Sequence, residues 1–156
     1  MSGLYRSILN AQGSSFSNLQ STEYDGIDDY IDCGNPSNLN FERTDSFSVS
    51  VWFKKPSLGG AQFIIGKNQH AAPKSGYFAF TSGNLVHFRI TQSGGQYVMI
   101  RHDITHNLNV WEHYVFTYDG SSVSSALNMY QNGTLLTNVT RSGGNLTQTT
   151  QTSVPF

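Results

Sequence analysis

Phe47-Ser-Val-Ser-Val-Trp-Phe53 alternates strictly: Phe47, Val49, Val51 and Phe53 share one side, Ser48, Ser50 and Trp52 the other. A period of two belongs to a strand with one buried face. The signal recurs at intervals of about ten residues. Gln62-Phe-Ile-Ile-Gly-Lys67 is a short apolar run, and Gly76-Tyr-Phe-Ala-Phe-Thr81 and Leu85-Val-His-Phe-Arg-Ile-Thr91 flank the compact turn Ser82-Gly83-Asn84. Gln96-Tyr-Val-Met-Ile-Arg101 and Trp111-Glu-His-Tyr-Val-Phe-Thr-Tyr118 follow, and Ala126–Gln131 and Thr134–Leu136 enclose Asn132-Gly133, a strong hairpin signal. No segment carries a helical stripe of useful length. The chain should fold as an all-β antiparallel sandwich.

The 156 residues fit one domain, with residues 1–20 read as an N-terminal arm and 21–156 as the sandwich. The arm is rich in Ser, Asn and Gln, with isolated apolar points at Leu4, Tyr5, Ile8, Leu9, Phe16 and Leu19. It either packs loosely or lies across a partner. Charged residues are 12% of the chain, so Ser, Thr, Asn, Gln and Gly make a polar but uncharged surface. That surface suits neutral polar matter such as sugars or neighbouring protein. Net charge is −1 with lysines and arginines scattered singly, which leaves no basic stripe for nucleic acid. Cys33 is the single cysteine, so no internal disulfide is expected, and its β-like surroundings suggest a small core residue. No signal peptide and no run of membrane-spanning length is read, which implies folding in a cytosol and no membrane insertion.

Four aspartates crowd Tyr24-Asp-Gly-Ile-Asp-Asp-Tyr-Ile-Asp-Cys-Gly-Asn35. Asp25-Gly26 lies between aromatic, β-prone flanks and reads as a hairpin turn, since both residue types tolerate positive φ. No cofactor is required by the pattern. Calcium is the ion these acids would accept, through Asp25, Asp28 and Asp29, because it takes six to eight oxygens from clustered carboxylates and carbonyls. The loop grammar of an EF-hand is missing, and turn-capping hydrogen bonds explain the acids as well.

Together and in this order, that stretch, Phe47–Phe53, Ile64-Ile-Gly-Lys67, Gly76-Tyr-Phe78, Trp111-Glu-His-Tyr-Val-Phe-Thr-Tyr-Asp-Gly120 and Leu127-Asn-Met-Tyr-Gln-Asn-Gly133 resemble the laminin-G-like branch of the concanavalin A-like lectin/glucanase superfamily. The resemblance implies a jelly roll of two antiparallel sheets over residues 20 to 156. Its style is similar to that of domains in bacteriophage virion proteins. In the family a segment like Ser153-Val-Pro-Phe156 opens a further strand with others after it. The last strands are therefore expected to be lacking, either because the sequence is a fragment or because another chain completes an open edge.

Glucanases of the superfamily use paired glutamates about 5–5.5 Å apart with an aspartate between them. Here the second glutamate is absent and Gly26 interrupts the strand, so no catalytic residue is assigned. His102-Asp-Ile-Thr-His106 has the outline of a zinc-protease motif. Its β-branched Ile104 and Thr105 oppose the helix that motif needs, and a loop is expected. No serine occupies a nucleophile elbow and no glycine-rich piece ends as a phosphate loop. Asn132, Asn138 and Asn145 match the N-glycosylation pattern, a coincidence expected of an Asn- and Thr-rich tail.

Outward aromatic rings either pack beneath a loop or an arm or stack on sugar; for the second role Trp52 is the first ligand-binding candidate, followed by Tyr77, Tyr97 and Trp111. The expected function is a non-enzymatic structural or adhesive module on a phage virion surface, assembled in the host cytoplasm. Its partners would be other virion proteins or its own copies, and a host surface glycan. The alternative is a carbohydrate-binding lectin-like domain assisted by calcium; a glycoside hydrolase relative is the distant third.

Overall fold

The structure is a computed structural model that describes residues 22–25, 29–69, 71, 74–103 and 108–156. The chain divides into two compact units, Met1–Tyr30 and Ile31–Phe156. In the first, few residues are described; Thr22–Asp25 form no strand, and the Asp25 amide donates to Asp29 Oδ2 at 2.9 Å.

The second unit is all β, with nine strands among the described residues. They are β1 (Phe47–Lys54), β2 (Gln62–Asn68), β3 (Gly76–Ser82), β4 (Leu85–Thr91), β5 (Tyr97–Asp103), β6 (Trp111–Tyr118), β7 (Leu127–Gln131), β8 (Thr134–Leu135) and β9 (Thr140–Gly143). Short 3₁₀ turns lie at Ser37–Leu39 and Ser124–Ala126. Two antiparallel sheets result, a four-stranded one in the order β1-β6-β7-β8 and a five-stranded one in the order β2-β3-β4-β5-β9.

The period of two becomes the inner and outer faces. Phe47, Val49, Val51 and Phe53 turn inward and pair across the ladder with Tyr118, Phe116, Tyr114 and Glu112. From the other sheet come Tyr77, Ala79, Val86, Phe88, Ile90, Val98 and Ile100. Phe88 stacks on Phe116 with centroids 5.0 Å apart and meets Phe47 edge-on at 6.2 Å, so aromatic contacts join the layers. Each such buried side chain contributes about 1.5–3 kcal/mol of apolar transfer. The β7–β8 hairpin turns on Asn132 and Gly133, both at positive φ, the geometry that matches the twist of the flanking strands.

Two expectations are corrected, and a third falls partly outside the described residues. That third is the hairpin turn at Asp25-Gly26, whose Gly26 is not among them; C-terminal to it, Cys33 and Gly34 pair with Phe156. The Cys33 amide donates to the Phe156 carbonyl and the Phe156 amide to the Gly34 carbonyl, each at 2.8 Å. The Asp32 carboxylate caps the Gly34 amide at 2.7 Å. Cys33 is also exposed rather than part of the core. A strand also appears where a polar tail was expected: β9 pairs with β5 through Thr140–Gly143.

Candidate functional site

Both sheets carry aromatic residues on their outer faces. On the four-stranded sheet Trp52 lies opposite His113 in register, and the rings stack with centroids 4.8 Å apart and planes 17° apart. His113 is held from two sides: its Nε2 shares a 2.8 Å hydrogen bond with Ser50 Oγ, and its amide donates to Asn132 Oδ1 at 2.9 Å. Farther along the same ladder Lys54 pairs with Trp111, with its Nζ 5.7 Å from the ring centroid. Trp52 is 39% exposed and Trp111 partly so. Two of the four sequence candidates therefore share one face, a strip of indole and imidazole with hydroxyls beside it.

Tyr77 is a correction. It faces inward and is 4% exposed, its hydroxyl donates to the Leu39 carbonyl at 3.1 Å, and burial pushes its pKa up to about 12. Alternation explains this: Tyr77 has the parity of Ala79 and Thr81, which also turn inward. Tyr97 sits on the outer face of the other sheet, with the Arg89 guanidinium carbon 3.9 Å from its ring centroid.

That second face holds a larger cluster, absent from the sequence candidates. One row across the strands reads Phe63, Phe80, His87, Arg101, Thr140, and the next reads Gly66, Phe78, Arg89, Met99, Ser142. Phe63, Phe78 and Phe80 lie within 5.4–6.0 Å of one another, and His87 stacks flat on Phe80 at 4.3 Å. Phe63 is 67% exposed. The available signal was Tyr77-Phe-Ala-Phe80, which is apolar at both parities; a run of that kind marks a strand whose outer face also carries contacts.

Of the acids, Asp25 and Asp29 are exposed, and Asp28 lies outside the described residues. Among the described residues no three His, Cys, Asp or Glu side chains gather as a metal-binding group. His102 ends up in β5, where its Nδ1 meets the Asn138 carbonyl, while His106 is outside the described residues. The buried Glu112 faces inward and accepts from Gln131 Nε2 at 2.8 Å and from the Tyr114 hydroxyl at 3.4 Å. Burial and the carboxylate together hold the Tyr114 phenol well above its ordinary pKa. This places Glu112 inside the sandwich rather than on a surface open to substrate.

Comparison with solved structures finds the crystal structure of the botulinum neurotoxin serotype G binding domain, at 20% identity and a TM-score of 0.54. The match covers 68% of this chain and 28% of that one, a likeness of fold. A search of curated proteins returned no match. Residues 25–154 match the family described as the concanavalin A-like lectin/glucanases superfamily, whose sandwich is the fold found here. The chain belongs to the concanavalin A-like lectin/glucanases superfamily, in its laminin-G-like branch.

Proposed function

We propose that this chain is a non-enzymatic adhesive module whose four-stranded sheet offers a stacking platform to neutral sugar. The observation that carries this reading is the Trp52–His113 stack, pinned by Ser50 and Asn132 and partly open to solvent. An indole face offers an apolar plate to the C–H side of a pyranose, and the Ser48 and Ser50 hydroxyls can exchange hydrogen bonds with its rim. A chain with only 12% charged residues supports an uncharged ligand. Absence of catalysis is part of the proposal, supported by the commitment of Glu112 to Gln131 and Tyr114 on the inner face.

The setting we infer is the surface of a bacteriophage particle, assembled in the host cytoplasm, with a host glycan as ligand and virion proteins as neighbours. Support comes from the style of the sequence and from its charge-poor surface. On a glycan array the chain should retain a neutral glycan with or without chelator. Trp52→Ala combined with Trp111→Ala should weaken retention about tenfold or more, a loss of roughly 1.4 kcal/mol. No retention of any glycan by the parent chain removes the sugar reading. Antibody against the chain should decorate intact particles, and decoration of none removes the virion setting.

A further inference from the structure

The Trp52–His113 stack is the middle of a longer strip. Strand β6 lies between β1 and β7, and three successive rows across it carry a ring on the outer face. Trp111 stands in the first row opposite Lys54, His113 in the second opposite Trp52, and Val115 in the third between Ser50 and Tyr130. Tyr130 takes the outward position because Met129, its neighbour in β7, is fully buried in the core. Leu135 extends that third row onto β8 and is 44% exposed. Side chains two positions apart on a strand are separated by about 7 Å, so the three rings recur at that interval over about 14 Å. A single pyranose covers one row and leaves the others unused.

The charges along this strip narrow the occupant. Across the outward positions of β1, β6 and β7, Lys54 is the one lysine or arginine and no carboxylate occurs. Lys54 also lies at the end of the strip, beside Trp111. A polyanion would meet one cation along the whole length and a polycation no anion, and a charge desolvated without a partner is costly. Hydroxyls and amides at Ser48, Thr117 and Asn128 close the row beyond Tyr130, which suits a ligand that is itself rich in hydroxyls. We propose that the four-stranded sheet takes a neutral oligosaccharide of at least three rings laid along β6, with Trp111, Trp52 and Tyr130 as successive contact points. This rests on the sugar reading and adds to it a chain length and a further binding residue, Tyr130. Once one ring is seated the next binds intramolecularly, so affinity climbs with length until the strip is filled.

The test is isothermal titration calorimetry of the full chain with neutral homo-oligosaccharides of glucose, mannose and N-acetylglucosamine, one to six rings long. For a sugar that binds, affinity should rise about tenfold or more from one ring to three or four and then level off. Tyr130→Ala should lose about tenfold on the longer members and leave the single ring unchanged, while Tyr130→Phe keeps the parent's profile. Circular dichroism of both variants should match the parent. Equal affinity at every length overturns the strip, as does a Tyr130→Ala chain that binds the longer members like the parent or loses the single ring equally. The Trp52–His113 platform survives such a result if Trp52→Ala still removes single-ring binding. Binding of no member also overturns the strip, and the platform falls with it once the array retains nothing.

Discussion

At the residue scale, His87 makes the clearest link between burial and a measurable property. The unfolded chain titrates this imidazole near 6.5, while in the fold burial first, and the Arg101 charge second, hold its pKa lower. Above about pH 6.5 both states are neutral and the group leaves stability unchanged. As pH falls below that value the unfolded chain takes up a proton that the folded chain resists, and stability drops by at most about 1.4 kcal/mol per pH unit. His87→Phe keeps a ring on Phe80 and removes this contribution. Its urea-unfolding free energy should therefore fall less steeply than the parent's between about pH 6.5 and 5. Equal slopes in the two proteins would assign the effect to other groups. Tyr77 teaches a second lesson at this scale: an aromatic residue in a strand faces where its parity points, whatever its taste for ligands.

Among the elements, β9 depends on a backbone position that a side chain cannot occupy. Gly143 has φ of 103°, and a Cβ added there would lie 2.0 Å from the Tyr97 carbonyl oxygen. Gly143→Ala must push β9 away from β5, at a cost of about 3 kcal/mol in chemical unfolding. Gly59→Ala meets only Ser57 Oγ at 3.6 Å and serves as the comparison, with a change within about 0.5 kcal/mol. Strand β9 carries almost no burial, so its sequence shows no apolar alternation, and its existence depends on a neighbour with open backbone groups. The aspartate-rich stretch is the converse case. Its local pattern favours a turn at Asp25-Gly26, of which Gly26 lies outside the described residues, while the pairing of Cys33 and Gly34 with Phe156 is set by a segment far along the chain.

For the Ile31–Phe156 unit as a whole, Lys67 ties sequence-distant segments to one sheet. The side chain is fully buried, and its Nζ donates to Asn35 Oδ1 and, at 2.7 Å, to the Val154 carbonyl. Asn35 Nδ2 in turn donates to the Ser153 carbonyl at 3.0 Å. Burial lowers the lysine pKa, and the two acceptors offset part of that cost. Lys67→Met should remove about 1.5–3 kcal/mol of charge-assisted bonding. Amide exchange should then quicken at Cys33 and Phe156 well before it does at Phe88 or Val98. Uniform acceleration across all four would mean that Lys67 supports the fold globally instead of anchoring these segments.

Strands β1 to β8 and their turns were legible because a period of two and an Asn-Gly or Ser-Gly-Asn turn are local properties, set by residues a few bonds apart. The same locality placed Trp52 on the face opposite the core, and the motif order carried the family. Which strands lie side by side was not legible. It took the fold to bring Phe63, Phe80, His87 and Arg101 into one row, to set Trp52 on His113, and to give Cys33 a partner 123 positions away. Alternation determines a side chain's face, but its neighbours across the sheet depend on register between distant segments, which only the packed sandwich decides.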